Sequence, residues 1–245
     1  MNIYTYIVSQ KNVGKKLFAV LVDPDNIDID QLKSLVHLSV EAQIDLFFVG
    51  GSLIEKDTLA IVVKTIKSLC TIPVVLFPGS NMHIDAQADG LLFLSLISGR
   101  NPDLLIGQQI IAAPILKRTS LEILPTGYML IDGGKATTVS YISNTTPLPA
   151  DKPSIAACTA MAGEMLGLKL IYMDAGSGAL YPISRKIIGA VRRSIDCPLV
   201  VGGGIDSVSK AADAWESGAD VVVVGNALEK DQNLLMAIAQ KAKQY

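Results

Sequence analysis

The sequence predicts a closed (β/α)8 barrel of the TIM type, and three observations carry that prediction. Eight short apolar runs alternate with longer segments along 245 residues. The runs are continuously apolar rather than alternating, as expected for parallel strands covered on both faces. Glycine clusters follow the last three runs, where the βα loops of such a barrel build its ligand site. The runs are Leu17–Val22, Leu46–Val49, Pro73–Phe77, Gly90–Leu96, Gly127–Ile131, Lys169–Met173, Pro198–Val201 and Val221–Val224. Eight βα units fit a barrel of about 250 residues, which forms one domain. A single domain over 1–245 is therefore expected. An open doubly wound sheet would carry a glycine fingerprint on its first βα turn. That turn here is Asp23-Pro24-Asp25-Asn26, without glycine.

The helices follow from the spacing between the runs. Ile29–Ala42 carries Leu32, Leu35, Val36 and Val40 at helical intervals. Ser207–Glu216 is followed by Gly218, a good helix terminator, and Leu228–Lys243 reads as a last helix. One unit is defective. Only Gly79 to Asp89 separates strands three and four, too short and too irregular for a full helix. The ring is therefore expected to lack that outer helix, leaving an apolar trench beside strands three and four. Asp132–Pro153 reads as a long loop, a feature often functional in compact domains, with a short extra strand at Val139–Ser143.

Composition excludes several function classes. Lysine and arginine total 21 against 23 aspartates and glutamates, a net charge of −2. No basic excess exists to neutralise nucleic-acid phosphates. Hydrophobic residues make up 50% and charged residues 18%, which excludes a disordered chain. Mean hydropathy is +0.41. The longest uncharged stretch, Ser68 to Ile84, contains Pro73, Pro78 and Gly79 and cannot span a bilayer as a helix. The apolarity then belongs to buried strands or partly to an exposed groove. The N-terminus lacks the apolar core of a signal peptide. Cys70, Cys158 and Cys197 are odd in number and widely spaced, as in a reducing compartment. A cytoplasmic protein is expected.

The strand ends nominate the site. Strand six ends in Tyr172-Met173-Asp174-Ala175-Gly176-Ser177-Gly178, strand seven in Gly202-Gly203-Gly204-Ile205, and strand eight in Gly225-Asn226-Ala227-Leu228. Small residues there let backbone N–H groups approach a ligand, and the last two loops match a phosphate site common in barrels. There is no GxxxxGK[ST] motif, so no P-loop. Strand one ends in Asp23-Pro24-Asp25 and strand two in Gly50-Gly51-Ser52. A carboxylate and a hydroxyl on neighbouring edges, with water and substrate phosphate, make a plausible Mg²⁺ set. Asp23 is read as pointing inward and Asp25 as lying near the helix start. Asp174 is read as a general base or as a partner for a polyol, and Asp132 as a turn residue. His37 and His83 are assigned surface or packing roles, away from strand ends. Tyr172 is read as core or as a hydroxyl offered to ligand, and Trp215 as core or interface.

Taken together, LVDPDN, GGS, YMDAGSG, VGGGI and VVVGNALE resemble, in order and over nearly the whole chain, the geranylgeranylglyceryl phosphate synthase family, including its PcrB-like bacterial relatives. A missing third helix is a feature of that family too. The resemblance implies transfer of a polyprenyl group, geranylgeranyl in the family's name, from its diphosphate to the C3 hydroxyl of sn-glycerol 1-phosphate. The product is the ether of archaeal-type lipids. It implies Mg²⁺ held at Asp23 and Ser52. It implies glycerol phosphate held by Tyr172, Met173, Asp174, Ala175, Gly176, Ser177, Gly178, Gly203, Gly204, Gly225 and Asn226, with the prenyl tail in the trench. A homo-oligomer in transient contact with membrane is also implied. Two departures stand out. Some members have lysine two residues before the metal aspartate, where this chain has Leu21, and many have glutamate where it has Asp174. Competing readings are another phosphate-binding barrel enzyme, such as a sugar-phosphate isomerase or synthase, which needs no trench, and a non-catalytic prenyl-lipid carrier.

Overall fold

A computed structural model describes residues 2–231 and 233–245. Eight parallel strands close into a barrel in sequential order. They are β1 (Leu17–Val22), β2 (Leu46–Gly51), β3 (Val74–Pro78), β4 (Gly90–Leu96), β5 (Glu122–Leu130), β6 (Leu170–Asp174), β7 (Leu199–Gly202) and β8 (Val221–Val224). The helices are α1 (Ile3–Asn12), α2 (Ile29–Ala42), α3 (Leu59–Leu69), α4 (Gln108–Leu116), α5 (Thr138–Ile142), α6 (Pro153–Met165), α7 (Arg185–Arg192), α8 (Val208–Glu216), α9 (Asn226–Lys230) and α10 (Asn233–Ala242). A π-helical turn, Asp103–Gly107, leads into α4.

The period-2 projection of strands separates two cores. Leu17, Ala19, Leu46, Phe48, Val75, Leu92, Tyr128, Tyr172, Val200 and Val223 fill the barrel lumen. Their neighbours Phe18, Val20, Phe47, Val74, Met129, Met173, Val201 and Val222 face the helices. Trp215 belongs to that outer layer, and its indole N–H donates to the Leu17 carbonyl at 3.1 Å. α1 had no counterpart in the sequence reading. It closes the barrel floor by inserting Ile3 and Ile7 into the lumen cluster, and the Glu122 carboxylate accepts the N–H groups of Ile3 and Tyr4.

The expected defect is present: no helix lies between β3 and β4. Their ladder covers Val75↔Gly90 and Leu76↔Leu91 alone, whereas β4 and β5 stay in register from Gly90↔Glu122 to Leu96↔Tyr128. Other expectations are corrected. Val139–Ser143 is not a strand, because Thr137 and Ser140 form a capping box that starts the helix α5. The segment Leu228–Lys243 is two helices, α9 and α10, separated at Asp231, whose backbone is extended. Asp28, not Asp25, caps α2 by accepting from Asp30 and Gln31 N–H groups.

One stabilising device recurs at the floor. Asp45, just before β2, accepts the Phe18 N–H of β1 at 2.8 Å, and Asp89, just before β4, accepts the Val74 N–H of β3 at 2.8 Å. Asp220, just before β8, accepts the Leu199 N–H of β7 at 2.8 Å and pairs with Arg192 at 2.9 Å. Each carboxylate fastens the start of one strand to its neighbour. Asp220 is buried, so Asp220→Ala leaves the Leu199 N–H without its side-chain acceptor and the Arg192 guanidinium, which keeps the Ile195 and Cys197 carbonyls, without its ion-pair partner. The expected cost is about 3 kcal/mol, read from the urea midpoint, with Asp220→Asn costing less.

Candidate functional site

The inward faces of the strands converge at their C-terminal ends on one cavity of about 780 Å³, which runs from the barrel mouth into the gap beside β3 and β4. Its apolar wall includes Ile84, Leu91, Phe93, Leu104, Ala112 and Leu116. This is the trench the sequence predicts. Phe77 and Pro78 of β3 and Phe93, Leu94 and Ser95 of β4 are only partly buried.

On one side of the mouth, Asp23 continues the inward face of β1 and Ser52 that of β2. Both line the cavity. The close approach of β2 and β3 fixes that edge. A Cβ on Gly79 would lie 2.3 Å from the Gly51 carbonyl oxygen, so only glycine fits there. Asp23 Oδ1 accepts from the Asp25 N–H at 3.0 Å and Oδ2 from the Asn26 side chain at 2.7 Å. Burial nevertheless pushes its carboxyl above the ordinary value. Asp25 has a different task. Its carboxylate accepts the N–H groups of Glu55 at 2.5 Å and Lys56 at 3.0 Å, and the Thr58 hydroxyl donates to the Pro24 carbonyl at 2.9 Å. The loop after β2, which carries Ser52, is thereby sewn to the loop after β1. Among the described residues no cluster of three metal-ligating side chains occurs. The donors available, one carboxylate and one hydroxyl in a mouth open to water and phosphate, fit a hard cation that keeps few protein ligands.

On the other side, β6 sends Tyr172 and Asp174 inward, while Met173 and Ala175 turn their side chains to the outer layer. Asp174 is 8% exposed. It accepts the Tyr128 hydroxyl at 2.6 Å on Oδ2 and the Gly176 N–H at 2.7 Å on Oδ1. Burial raises its carboxyl above the usual range, and the two hydrogen bonds act against that rise. The Tyr128 phenol is raised well above 10 by burial and by Asp174. Tyr128 is a residue the sequence reading passed over. It carries no motif, and its partner is 46 residues away. Phe77, Tyr128 and Tyr172 form an aromatic floor beneath the mouth, with Phe77 stacked on Tyr172 at 5.0 Å and Tyr128 edge-on to Tyr172 at 5.6 Å.

The glycine loops join here. Asn226 donates from its side chain to Ser177 Oγ at 2.9 Å, linking the loop after β6 to the start of α9. Gly176 packs against Thr137, and Ser177, Gly178, Gly203, Gly204, Gly225 and Asn226 line the cavity. Among the described residues no protein acceptor takes the N–H of Gly203 or Gly204. Lys135 places its Nζ 3.7 Å from where a Cβ on Gly178 would sit. His83, expected away from strand ends, accepts the N–H of Gly79 directly after β3 at 3.2 Å; burial lowers its pKa. Asp132 accepts from the Gly134 N–H at 2.9 Å, the turn role expected of it.

Gly203 is hemmed in by the site itself. Its φ is +81°, and a Cβ would stand 2.5 Å from Asp174 Oδ1 and 2.6 Å from the Ala175 nitrogen. Gly203→Ala is expected to destabilise the fold by more than about 1 kcal/mol, seen as a lowered thermal midpoint. Gly14→Ala, also at positive φ but with open space around it, isolates the backbone part of that cost.

Comparison with known proteins agrees with this geometry. The PcrB family profile matches residues 11–243. The geranylgeranylglyceryl phosphate synthase of Spirosoma linguale is 52% identical, over 98% of this chain and 97% of that one. Its namesake from Chitinophaga pinensis is 52% identical, over 97% and 94%. Among solved structures, (S)-3-O-geranylgeranylglyceryl phosphate synthase from Thermoplasma acidophilum, in complex with its substrate sn-glycerol-1-phosphate, superposes with a TM-score of 0.94 at 27% identity, each chain fully covered. With matches of this extent, the chain belongs to the PcrB family, that of the geranylgeranylglyceryl phosphate synthases.

Proposed function

We propose that this protein is a prenyltransferase that joins a polyprenyl group, geranylgeranyl by the naming of its relatives, to the C3 hydroxyl of sn-glycerol 1-phosphate. The products are geranylgeranylglyceryl phosphate and diphosphate. One observation carries the reading: a single cavity combines an apolar slot with a mouth lined by glycine amides and carboxylates. A sugar-phosphate enzyme has use for the mouth but none for the slot. A prenyl-lipid carrier has use for the slot but not for a buried carboxylate beside a phosphate cradle.

The chain's own groups divide the chemistry. The free N–H groups of Gly203 and Gly204, with Ser177, Gly178, Gly225 and Asn226 around them, support binding of the glycerol phosphate. That fixes the C3 hydroxyl towards Asp174 and makes attack intramolecular in effect. Asp174 accepts the hydroxyl proton as the glycerol oxygen bonds to the allylic carbon and the carbon–oxygen bond to diphosphate breaks. The slot keeps water from the reacting carbon. The faces of Phe77, Tyr128 and Tyr172 lie where positive charge on that carbon is best tolerated. Asp23 and Ser52 would hold a magnesium ion. When bound, that ion neutralises charge developing on the leaving diphosphate. No described helix is long and apolar enough to cross a membrane. That and the three free cysteines support a cytoplasmic enzyme. Exposed Ile106, Ile110, Ile111 and Ile115 around α4 support a homo-oligomer.

The test is ether formation from geranylgeranyl diphosphate and sn-glycerol 1-phosphate, with magnesium. Asp23→Asn is expected to lose at least tenfold in kcat/KM; an undiminished rate would refute the metal assignment. Asp174→Asn is expected to lose about 10²–10⁴-fold in kcat without loss of thermal stability, because burial already disfavours the charged form. The pH profile follows from the same shift. A raised carboxyl takes its proton earlier on acidification, so activity falls on the acid side at a higher pH than an exposed aspartate would give. Tyr128→Phe removes a hydrogen bond that favours the ionised form and moves that limb further up in pH.

A further inference from the structure

The cavity mouth is poor in cations for a site that takes two phosphorylated substrates. Asp23, Asp25, Glu55, Asp174 and Asp206 line it, and Lys56 is the one lysine or arginine among the described lining residues. Strand β1 brings no ammonium there, because the inward position two before Asp23 is Leu21. Lys56 sits on the loop that carries Ser52. Its Nζ donates to the Asp25 carbonyl at 2.9 Å, which folds the side chain back over the Asp23 turn. It has no carboxylate within ion-pair distance among the described residues. The Asp25 carboxylate next to it is occupied by two backbone amides. An ammonium has three N–H donors, and the Asp25 carbonyl uses one.

We infer that Lys56 is a binding residue for the diphosphate group, holding it against the Asp23 edge of the mouth while the glycine amides hold the glycerol phosphate on the opposite edge. This deepens the prenyltransferase reading and rests on it. Two physical points favour this division. An ammonium tethered through a carbonyl keeps its full charge, since no carboxylate neutralises it. The β6–β8 side already offers backbone amides to a phosphate, whereas on the β1–β2 side Lys56 is the one cationic side chain among the described lining residues, beside the Asp23 and Ser52 that would hold magnesium. Without Lys56, a diphosphate placed there would depend on magnesium alone to offset the Asp23, Asp25 and Glu55 carboxylates.

The test separates the two anions without requiring turnover. Inorganic pyrophosphate and sn-glycerol 1-phosphate are each titrated calorimetrically into the full chain, at fixed magnesium chloride, for the unmodified protein and for Lys56→Met, Lys56→Gln and Lys56→Arg. Lys56→Met is expected to weaken pyrophosphate binding roughly tenfold, the scale of a charged hydrogen bond at a partly exposed site. Glycerol 1-phosphate should stay within about twofold in the same experiment. Lys56→Gln, which can still donate to the Asp25 carbonyl, should be as weak as Lys56→Met, and Lys56→Arg should recover most of the affinity. In turnover, KM for the prenyl diphosphate should rise with little change for glycerol phosphate. Pyrophosphate affinity unchanged in Lys56→Met and Lys56→Gln overturns the inference. So does parallel weakening of both ligands, which would mark Lys56 as a loop strut. An unmodified chain that binds both anions yet makes no ether counts against the transferase reading, and the pyrophosphate comparison still decides Lys56.

Discussion

A carboxylate inside the barrel lumen, without a cation beside it, organises this site. Asp174 is held by one phenol and one backbone amide. Both partners are consequential. The amide belongs to Gly176, so satisfying the carboxylate bends the loop after β6 into the shape that brings Ser177 to Asn226. The phenol belongs to Tyr128, so the carboxylate also ties β6 to β5 and orients one ring of the aromatic floor. Gly203 can have no side chain because its Cα already lies against Asp174 and the amides that follow it. A carboxylate whose charge burial disfavours is kept at the cavity mouth, and the glycine loops around it take their shape from satisfying it.

The mouth and the slot have different physical origins. The mouth exists because parallel strands point all their C-terminal ends one way, so inward residues of β1, β2, β6, β7 and β8 converge. The slot exists because one crossover is too short to fold into a helix. A helix over β4 would bury Phe93, which here stays half-buried along the cavity. The high mean hydropathy thus has two sources. Most of it is the double core of lumen and outer layer. The rest is left exposed along α4 and in the slot.

Much of this was legible in the sequence, for reasons visible in particular residues. β1, β4, β8 and α2 begin and end where the apolar runs and spacing placed them. The shortness of Gly79 to Asp89 was enough to foresee the slot, since eleven residues leave no room for a covering helix. What stayed hidden was carried by pairings distant in sequence. α1 has little periodicity of its own and is defined by what it plugs. The floor carboxylates Asp45, Asp89 and Asp220 look like ordinary loop residues until the neighbouring strand is brought beside them. Asp25 reads as a helix cap from its local context, yet its partners are two amides about thirty residues on. Val139–Ser143 looks extended by composition, but the Thr137 and Ser140 hydroxyls satisfy the first orphan amides of a helix and decide the matter locally.

The same carboxylate geometry bears on the glycine loops proposed to cradle the phosphate. A lysine beside Gly203 would pair with Asp174 and depress its carboxyl. Backbone N–H dipoles attract a phosphate while leaving net charge near Asp174 unchanged. Among the described residues no lysine or arginine forms an ion pair with Asp174. Lys135 lies by Gly178 of the loop after β6, and Lys56 lines the cavity on the β2 side. Asp174 is an aspartate and not the longer glutamate, so its oxygens lie close to the β6 backbone, within reach of the Gly176 amide. The loops after β6, β7 and β8 close around it: Gly203 packs against Asp174, and the Asn226 side chain donates to Ser177.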